Sequence, residues 1–298
     1  MILRKATPTD DGAVLALWTT CYPFQVFTEA LIRAREVDSP PAEKRLTLLA
    51  EVDGVVEGAA ICRVDFESAD PGVATLALMV APDSRRRGIG GALHERALAY
   101  LRGLGMTRLI VRTGDDDGMA FATARGMTLS RTERISRVDP RDVPAPPALP
   151  DGITLRSMAD IADLRPVYEL DGAVSLDVPG DTPFQSMPYE EWLRAIVGIP
   201  IFDAEASMVA YDGDLPVSLA CVESAGTRMF SGLAGTLAGY RGRGLARVVK
   251  AHALRRAAAK GITEAFTNND ASNTAMLAVN TRLGYREHTR LRVVTGAI

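Results

Sequence analysis

Two β-rich apolar runs, 46–52 and 55–64, flank Asp53-Gly54, a pattern that predicts a hairpin with a two-residue turn. Ahead of them come a strand over 2–6, a helix over 12–20 opened by the polar cap residues and early proline of Thr7-Pro8-Thr9-Asp10, and an amphipathic helix over 28–36 that Asp38-Ser39-Pro40-Pro41 breaks. A third apolar run, 73–80, leads through a glycine-rich turn into a helix ending near Gly105. A short buried strand (109–112), a short helix (119–125) and an alternating strand (128–138) that reads as a sheet edge follow. Residues 139–150 are proline-dense and continue neither helix nor central strand. The same order then restarts: strand 153–156, helix 160–170, a loop, helix 189–197, and strands 207–211 and 217–222 around Asp212-Gly213. Strand 229–237, a second glycine turn, a helix to Lys260, strand 264–267, helix 272–283 and a strand pair within 285–294 complete it. Hairpin-built sheet with one parallel crossover per half makes the expected class α/β, with a mixed α+β type of sheet.

The landmarks recur at nearly constant spacing. Gly88 and Gly244, and Gly90 and Ala246, each lie 156 positions apart, and Leu3-Arg4, Asp53-Gly54 and Cys62 return as Leu155-Arg156, Asp212-Gly213 and Cys221. That period is too long for a solenoid and predicts two copies of one domain, 1–139 and 151–298, joined by a linker at 140–150. A chain of 298 residues accommodates both, each with its own core. A formal net charge of −3 gives no basic face for a nucleic acid. Cys21, Cys62 and Cys221 share no metal-ligand spacing, so no metal is expected and the thiols read as reduced. No leader-like segment opens the chain and no apolar run reaches the roughly 20 residues of a membrane span, so a cytoplasmic protein is expected.

The glycine turns carry the chemistry. Arg85-Arg86-Arg87-Gly88-Ile89-Gly90-Gly91 and Tyr240-Arg241-Gly242-Arg243-Gly244-Leu245-Ala246 each stand between a strand and a helix. Glycine lets the backbone turn its N–H groups toward a ligand and lets that ligand come close. Helix N-termini favour anions, and the arginines, with Arg247 beside the second turn, add positive charge. The arrangement predicts a pyrophosphate cradle. A dinucleotide-binding reading fails, since it needs glycine where Leu93 and Ala246 stand.

Arg85-x-x-Gly88-x-Gly90 and Arg241-x-x-Gly244-x-Ala246 resemble the Arg/Gln-x-x-Gly-x-Gly/Ala motif of the GCN5-related N-acetyltransferases (GNAT superfamily). The element order of both halves is similar to that fold, in the tandem form of mycothiol synthases and other actinobacterial two-domain acetyltransferases. The resemblance implies two tandem GNAT domains and acetyl-CoA as cofactor. It implies pyrophosphate binding by Arg86, Arg87, Gly88, Ile89, Gly90 and Gly91 in the first half. In the second half, the corresponding positions are Arg241, Gly242, Arg243, Gly244, Leu245, Ala246 and Arg247. It also implies that the strand ends Leu78, Met79, Val80 and Ala234, Gly235, Thr236 pair with the pantetheine arm, and that Asn273 hydrogen-bonds to it. Asn273 reads equally as a helix cap.

The resemblance implies transfer of acetyl to the primary amine of a small molecule, with the C-terminal domain catalytic. Asp115-Asp116-Asp117 in the first half is poor company for an anionic cofactor. The alternatives are a CoA-binding sensor or scaffold without catalysis, and a protein or peptide N-acetyltransferase. Many relatives place an acidic tyrosine four residues before the helix-ending glycine; here Ala122 and Asn280 occupy those positions, and Asn280 donates hydrogen bonds but no proton. Tyr285 reads as core or acid, and Glu223 as a solvated strand-end charge or a base acting through water. His94, His252 and His288 are weaker candidates, the first two as exposed helix positions. The loop 171–188, with Asp177, Asp181, Phe184 and Met187, is expected over an acceptor pocket suited to a cationic amine, with Trp192 as core beneath it. A monomer or homodimer is expected.

Overall fold

The computed structural model describes residues 1–298 and forms two compact units. Unit 1 comprises residues 1–132, 181–187 and 291–298; unit 2 comprises 133–180 and 188–290. The N-terminal half runs β1 (Ile2–Lys5), α1 (Asp11–Cys21), α2 (Glu29–Val37), β2 (Leu46–Val52), β3 (Val55–Val64) and β4 (Val73–Val80), then α3 (Ile89–Gly103), β5 (Arg108–Thr113), α4 (Asp116–Thr123) and β6 (Thr128–Val138). The C-terminal half repeats it as β7 (Ile153–Ser157), α5 (Arg165–Ser175), α6 (Tyr189–Trp192), β8 (Met208–Asp212), β9 (Leu215–Ala225) and β10 (Arg228–Thr236), then α7 (Leu245–Ala259), β11 (Glu264–Asp270), α8 (Thr274–Arg282) and β12 (Arg286–Ala297).

In unit 1, β1 to β4 are antiparallel neighbours and β5 joins β4 in parallel. The β2–β3 turn has Asp53 and Gly54 both at positive φ, 52° and 82°, as a two-residue turn twisted to match the strands requires. The far edge of β5 is completed by the end of β12, with Arg292 opposite Thr113 and Ala297 opposite Arg108. Helices α1 and α2 bury Val14, Leu17, Trp18 and Ile32 against Leu49, Ile61 and Met79, whereas α3 buries Leu93, Ala97 and Leu101 in a second cluster. A Cβ at Gly58 would stand 2.9 Å from Ile89 and 3.0 Å from Leu93, so this glycine permits the close approach of α3.

Unit 2 has the same plan. Strands β7 to β10 are antiparallel, β11 is parallel to β10, and the far side of β11 is completed by the end of β6, with Val138 opposite Ala265 and Glu133 opposite Asp270. Each sheet is thus completed by a strand from the other half of the sequence. The alternation of 128–138 marks a strand correctly, but it is no edge: β6 has β12 on one side and β11 on the other, partners some 130 or more residues away that periodicity cannot name. The terminal strand pair expected within 285–294 is one strand of 12 residues.

Helix α5 begins at Arg165 and continues to Ser175, five residues beyond the expected end. Pro166 fixes the start, because the first helical turn tolerates its missing N–H. Asp171 therefore lies within a helix instead of opening a loop. No helix is long and apolar enough to cross a membrane, and no group of three His, Cys, Asp or Glu side chains is placed to hold a metal ion.

Candidate functional site

Strands β10 and β11 pair only from Arg228–Glu264 to Ser231–Thr267, while β10 continues to Thr236. Beyond Ser231 a fork opens. Unit 1 has the same fork, since β4–β5 pairing stops at Leu76–Val111 and β4 runs on to Val80. The forks differ in one respect. On β9, Val222 faces Ser231 and Ala220 faces Ala234, so Gly232 and Leu233 together oppose Cys221. This bulge leaves Gly232 and Leu233 without register partners on either neighbouring strand, free to meet a ligand in the fork. In unit 1 the β3–β4 register is continuous from Gly58–Val80 to Val64–Ala74. At the end of β10 the Leu237 N–H is donated to Val217 O at 2.9 Å and is unavailable to a ligand.

The two glycine turns are built alike. Gly88 (φ 84°) and Gly244 (φ 80°) sit at the N-caps of 15-residue helices, and nothing lies within 4 Å of a Cβ placed on either. The first arginine of each motif ties the turn back to its strand: Arg85 Nε donates to Val80 O at 3.5 Å and Arg241 Nε to Thr236 O at 3.2 Å. Arg86 adopts φ 62° where the second turn has Gly242 at φ 78°, a conformation that suits glycine and strains arginine.

Charge separates them further. Arg85 pairs with Asp115 at 3.0 Å and Arg86 with Asp117, so two of the first cradle's three arginines are neutralised by the acidic run, while Arg87 donates to Ser84 Oγ at 3.3 Å. In the second, Arg241 pairs with Asp177, while Arg243 rests on the Tyr240 ring at 5.3 Å and has no carboxylate partner. Arg247 Nε is buried without an acceptor. Open glycines, an orphaned guanidinium N–H and a helix N-terminus together fit a pyrophosphate group.

Beside the fork, Asn273 Oδ1 accepts the Met276 N–H at 3.1 Å and caps α8. The amide Nδ2 of Asn273 remains the group that could reach a ligand. Asn280 is 2% exposed, donates to Asn269 Oδ1 at 2.6 Å and leaves its own Oδ1 without a donor. Tyr285 is core: burial raises the pKa of its phenol, and the hydroxyl makes no full hydrogen bond. Glu223 lies within β9, opposite Phe230 and bridged to Phe202, and not at a strand end. His94 is buried against Phe121, contrary to the expected exposed position; burial lowers the pKa of both His94 and His252. His288 packs on Phe266. Of the acceptor-loop residues only Asp177 belongs to unit 2. Asp181, Phe184 and Met187 belong to unit 1, where Asp181 is held by Arg131 at 2.8 Å and Phe184 bridges to Ser68.

Two groups were missed by sequence reasoning. Lys250 on α7 is 1% exposed and donates to Ser231 Oγ at 2.9 Å, at the base of the fork. Burial alone brings its pKa down to about 7. A lysine four residues before Leu254 and seven before Ala257, on the apolar face of the helix, was the available signal. Asp171 on α5 has its pKa raised to about 6 by burial, and the expected helix end at 170 concealed it.

Residues 12–127 match the acetyltransferase (GNAT) family. A mycothiol acetyltransferase of Streptomyces scabiei is 29% identical over 224 residues, 74% of this chain and 71% of that protein. The fold resembles a tandem GNAT protein from the clavulanic acid biosynthesis pathway, with a TM-score of 0.77, 19% identity and coverage of 99% of this chain and 98% of that one. It also resembles a GCN5-related N-acetyltransferase from Sphaerobacter thermophilus, with a TM-score of 0.74, 20% identity and coverage of 99% and 95%. By the family match, residues 12–127 form an acetyltransferase (GNAT) domain, and that match and the mycothiol acetyltransferase relative together support an N-acetyltransferase. The chain as a whole has the fold of two tandem GNAT domains.

Proposed function

We propose that the C-terminal half is the catalytic one and moves the acetyl group of acetyl-CoA directly to a primary amine of a small molecule. One observation carries this reading: only β10 combines a fork with a bulge, and it leads into the cradle in which one arginine of three is paired with a carboxylate, against two of three in the first. Bound there, acetyl-CoA supplies an activated thioester. The backbone from Arg241 to Arg247 receives the pyrophosphate, the edge of β10 from Ala234 to Thr236 the pantetheine amides, and the Asn273 Nδ2 donor one further amide oxygen. Asn280 orients the sulfur end by hydrogen bonding. Glu223 draws the amine toward the bulge by charge, and Tyr285 serves as packing beneath the fork. The N-terminal half, on this reading, shapes the protein without turnover. A protein of the cytoplasm, acting alone or as a homodimer, is the setting proposed.

Thiol release from acetyl-CoA, followed with a broad panel of small primary amines and with peptides, tests the proposal. Amine-dependent release is expected. Release with peptides alone moves the acceptor to proteins, and none with any amine leaves a CoA-binding sensor. A finer check concerns Asn273. Asparagine to aspartate keeps the oxygen that caps α8 but removes the Nδ2 donor, so Asn273→Asp is expected to raise the acetyl-CoA KM roughly tenfold, about 1–2 kcal/mol, without loss of stability. An unchanged KM confines Asn273 to capping.

A further inference from the structure

Helix α5 lies directly on the fork strand. A Cβ built on Gly235 would stand 2.5 Å from Val174, so this face of the helix and β10 are in contact at the fork. Asp171 is one turn earlier on the same face, since positions i and i+3 are neighbours on a helix. That turn lies over β9 where Cys221 opposes Gly232 and Leu233; burial raises the pKa of the Cys221 thiol, and the carboxylates of Asp171 and Glu223 both act on it and raise it further. Asp171 makes no ion pair. The Trp192 indole N–H, 2% exposed and lacking a full hydrogen-bond acceptor, is aimed at it from α6. The facing groups are therefore Cys221 and Glu223 on β9 and Trp192 on α6, while β10 from Gly232 to Thr236 carries no titratable side chain. Arg241, the nearby cation of the cradle, is engaged by Asp177.

From this geometry we propose that Asp171 is the general base of the C-terminal site, taking a proton from an incoming cationic amine beside the bulge. The inference rests on the acetyl-transfer reading above. The carboxylate accepts one proton from the ammonium. The freed nitrogen lone pair forms the C–N bond, the C–S bond breaks, and its electron pair leaves with sulfur. The nitrogen's second surplus proton goes to that thiolate. Products are an amide, the CoA thiol and one proton passed from Asp171 to water. Burial favours the neutral carboxyl, and the value near 6 leaves most Asp171 ionised at pH 7 while making it a better base than an exposed aspartate. Glu223 supplies a second negative charge that attracts the cation.

The test follows amine-dependent thiol release against pH, with the most active amine of the panel, for wild type, Asp171→Asn and Asp171→Glu. Asp171→Asn is expected to lower kcat/KM for the amine roughly 100-fold at pH 7 and to abolish the acid limb near pH 6, with the acetyl-CoA KM unchanged. Asp171→Glu, which keeps the carboxyl, retains an acid limb and recovers part of the rate. Should Asp171→Asn fail to fold, the wild-type Asp171 carboxyl is followed by NMR, and titration at the ordinary aspartate value overturns the proposal. An unchanged pH profile in Asp171→Asn, or a rise in amine KM alone, overturns the base role while leaving acetyl transfer intact. No release from wild type with any amine, despite acetyl-CoA binding, overturns both.

Discussion

Replacing Lys250 with methionine is expected to stabilise the protein, and to do so most below pH 7. Lys250 is a buried ammonium with a single hydrogen bond, to the neutral Ser231 hydroxyl, and the face of the Tyr285 ring at 5.5 Å. No carboxylate contributes to its titration; burial alone depresses its pKa from 10.5 to about 7. The sign follows from which state binds more protons. Below pH 7 both folded and unfolded chains hold the proton, and the folded chain carries the full penalty of the buried charge. Between pH 7 and 10.5 the unfolded chain keeps its proton and the folded chain has lost it, so stability rises with pH at up to about 1.4 kcal/mol per unit. Above 10.5 both are neutral and the gain is complete.

Methionine fills similar volume without charge and removes the penalty at every pH, although the Ser231 hydroxyl loses its donor. A gain of about 2–4 kcal/mol is expected at pH 6, shrinking steadily toward pH 10. Calorimetric melting of wild type and Lys250→Met at pH 6 and pH 9 reads it directly. For a unit of this size the melting temperature at pH 6 should rise by roughly 5–10 °C. A gain equal at both pH values, or a loss, would falsify the assignment of an unpaired buried amine.

Gly244→Glu is expected to remove acetyl-CoA binding at the C-terminal cradle, weakening it at least roughly 100-fold. Gly244 holds φ 80° at the start of α7, a conformation that strains any residue with a Cβ by about 1–3 kcal/mol. The space around it is open, so the new side chain would fold without collision and would occupy the room a pyrophosphate needs. Its carboxylate would also take the favourable place at the helix N-terminus and repel phosphate oxygens. Titration calorimetry compares wild type, Gly244→Glu, Gly244→Ala and Gly88→Glu. Alanine carries the strain without the charge and should lose far less affinity. One site, absent in Gly244→Glu and intact in Gly88→Glu, is the expected result. A second site removed by Gly88→Glu would show that the first cradle binds despite its ion pairs to Asp115 and Asp117. Full affinity in Gly244→Glu would place the cofactor elsewhere.

The sequence made legible what local chemistry decides. Asp53-Gly54 and Asp212-Gly213 fixed the hairpins, and Gly88 and Gly244 the strand–turn–helix units, because only glycine fits those backbone conformations without strain. What depends on distant partners was hidden. The alternation of 128–138 is equally consistent with an edge or an interior strand, and nothing within it names β11. The bulge at Gly232 and Leu233 is a two-against-one count between strands, which one strand's residues do not reveal. Lys250 was masked by the charged Arg247, Arg255 and Arg256 of the same helix, among which it reads as one more solvated cation, and Asp171 by a helix end placed five residues too early. Asn273 shows a further limit: capping and ligand binding ask for the same residue type, and the cap takes only its oxygen.

The exchanged strands bear on how the chain is made. Residues 291–298, which complete the sheet of unit 1 against β5, are synthesised after the whole of unit 2. With synthesis at about 5–20 residues per second, β5 waits roughly 10–40 s with its outer edge unpaired. During that interval an open row of backbone donors and acceptors invites pairing with another nascent chain. Unit 2 escapes the difficulty, because its borrowed strand, residues 133–138, is synthesised before the rest of its sheet. The half that emerges first is therefore the half that finishes last, and a chain stalled at residue 290 would carry a finished unit 2 tethered to a unit 1 with an open edge.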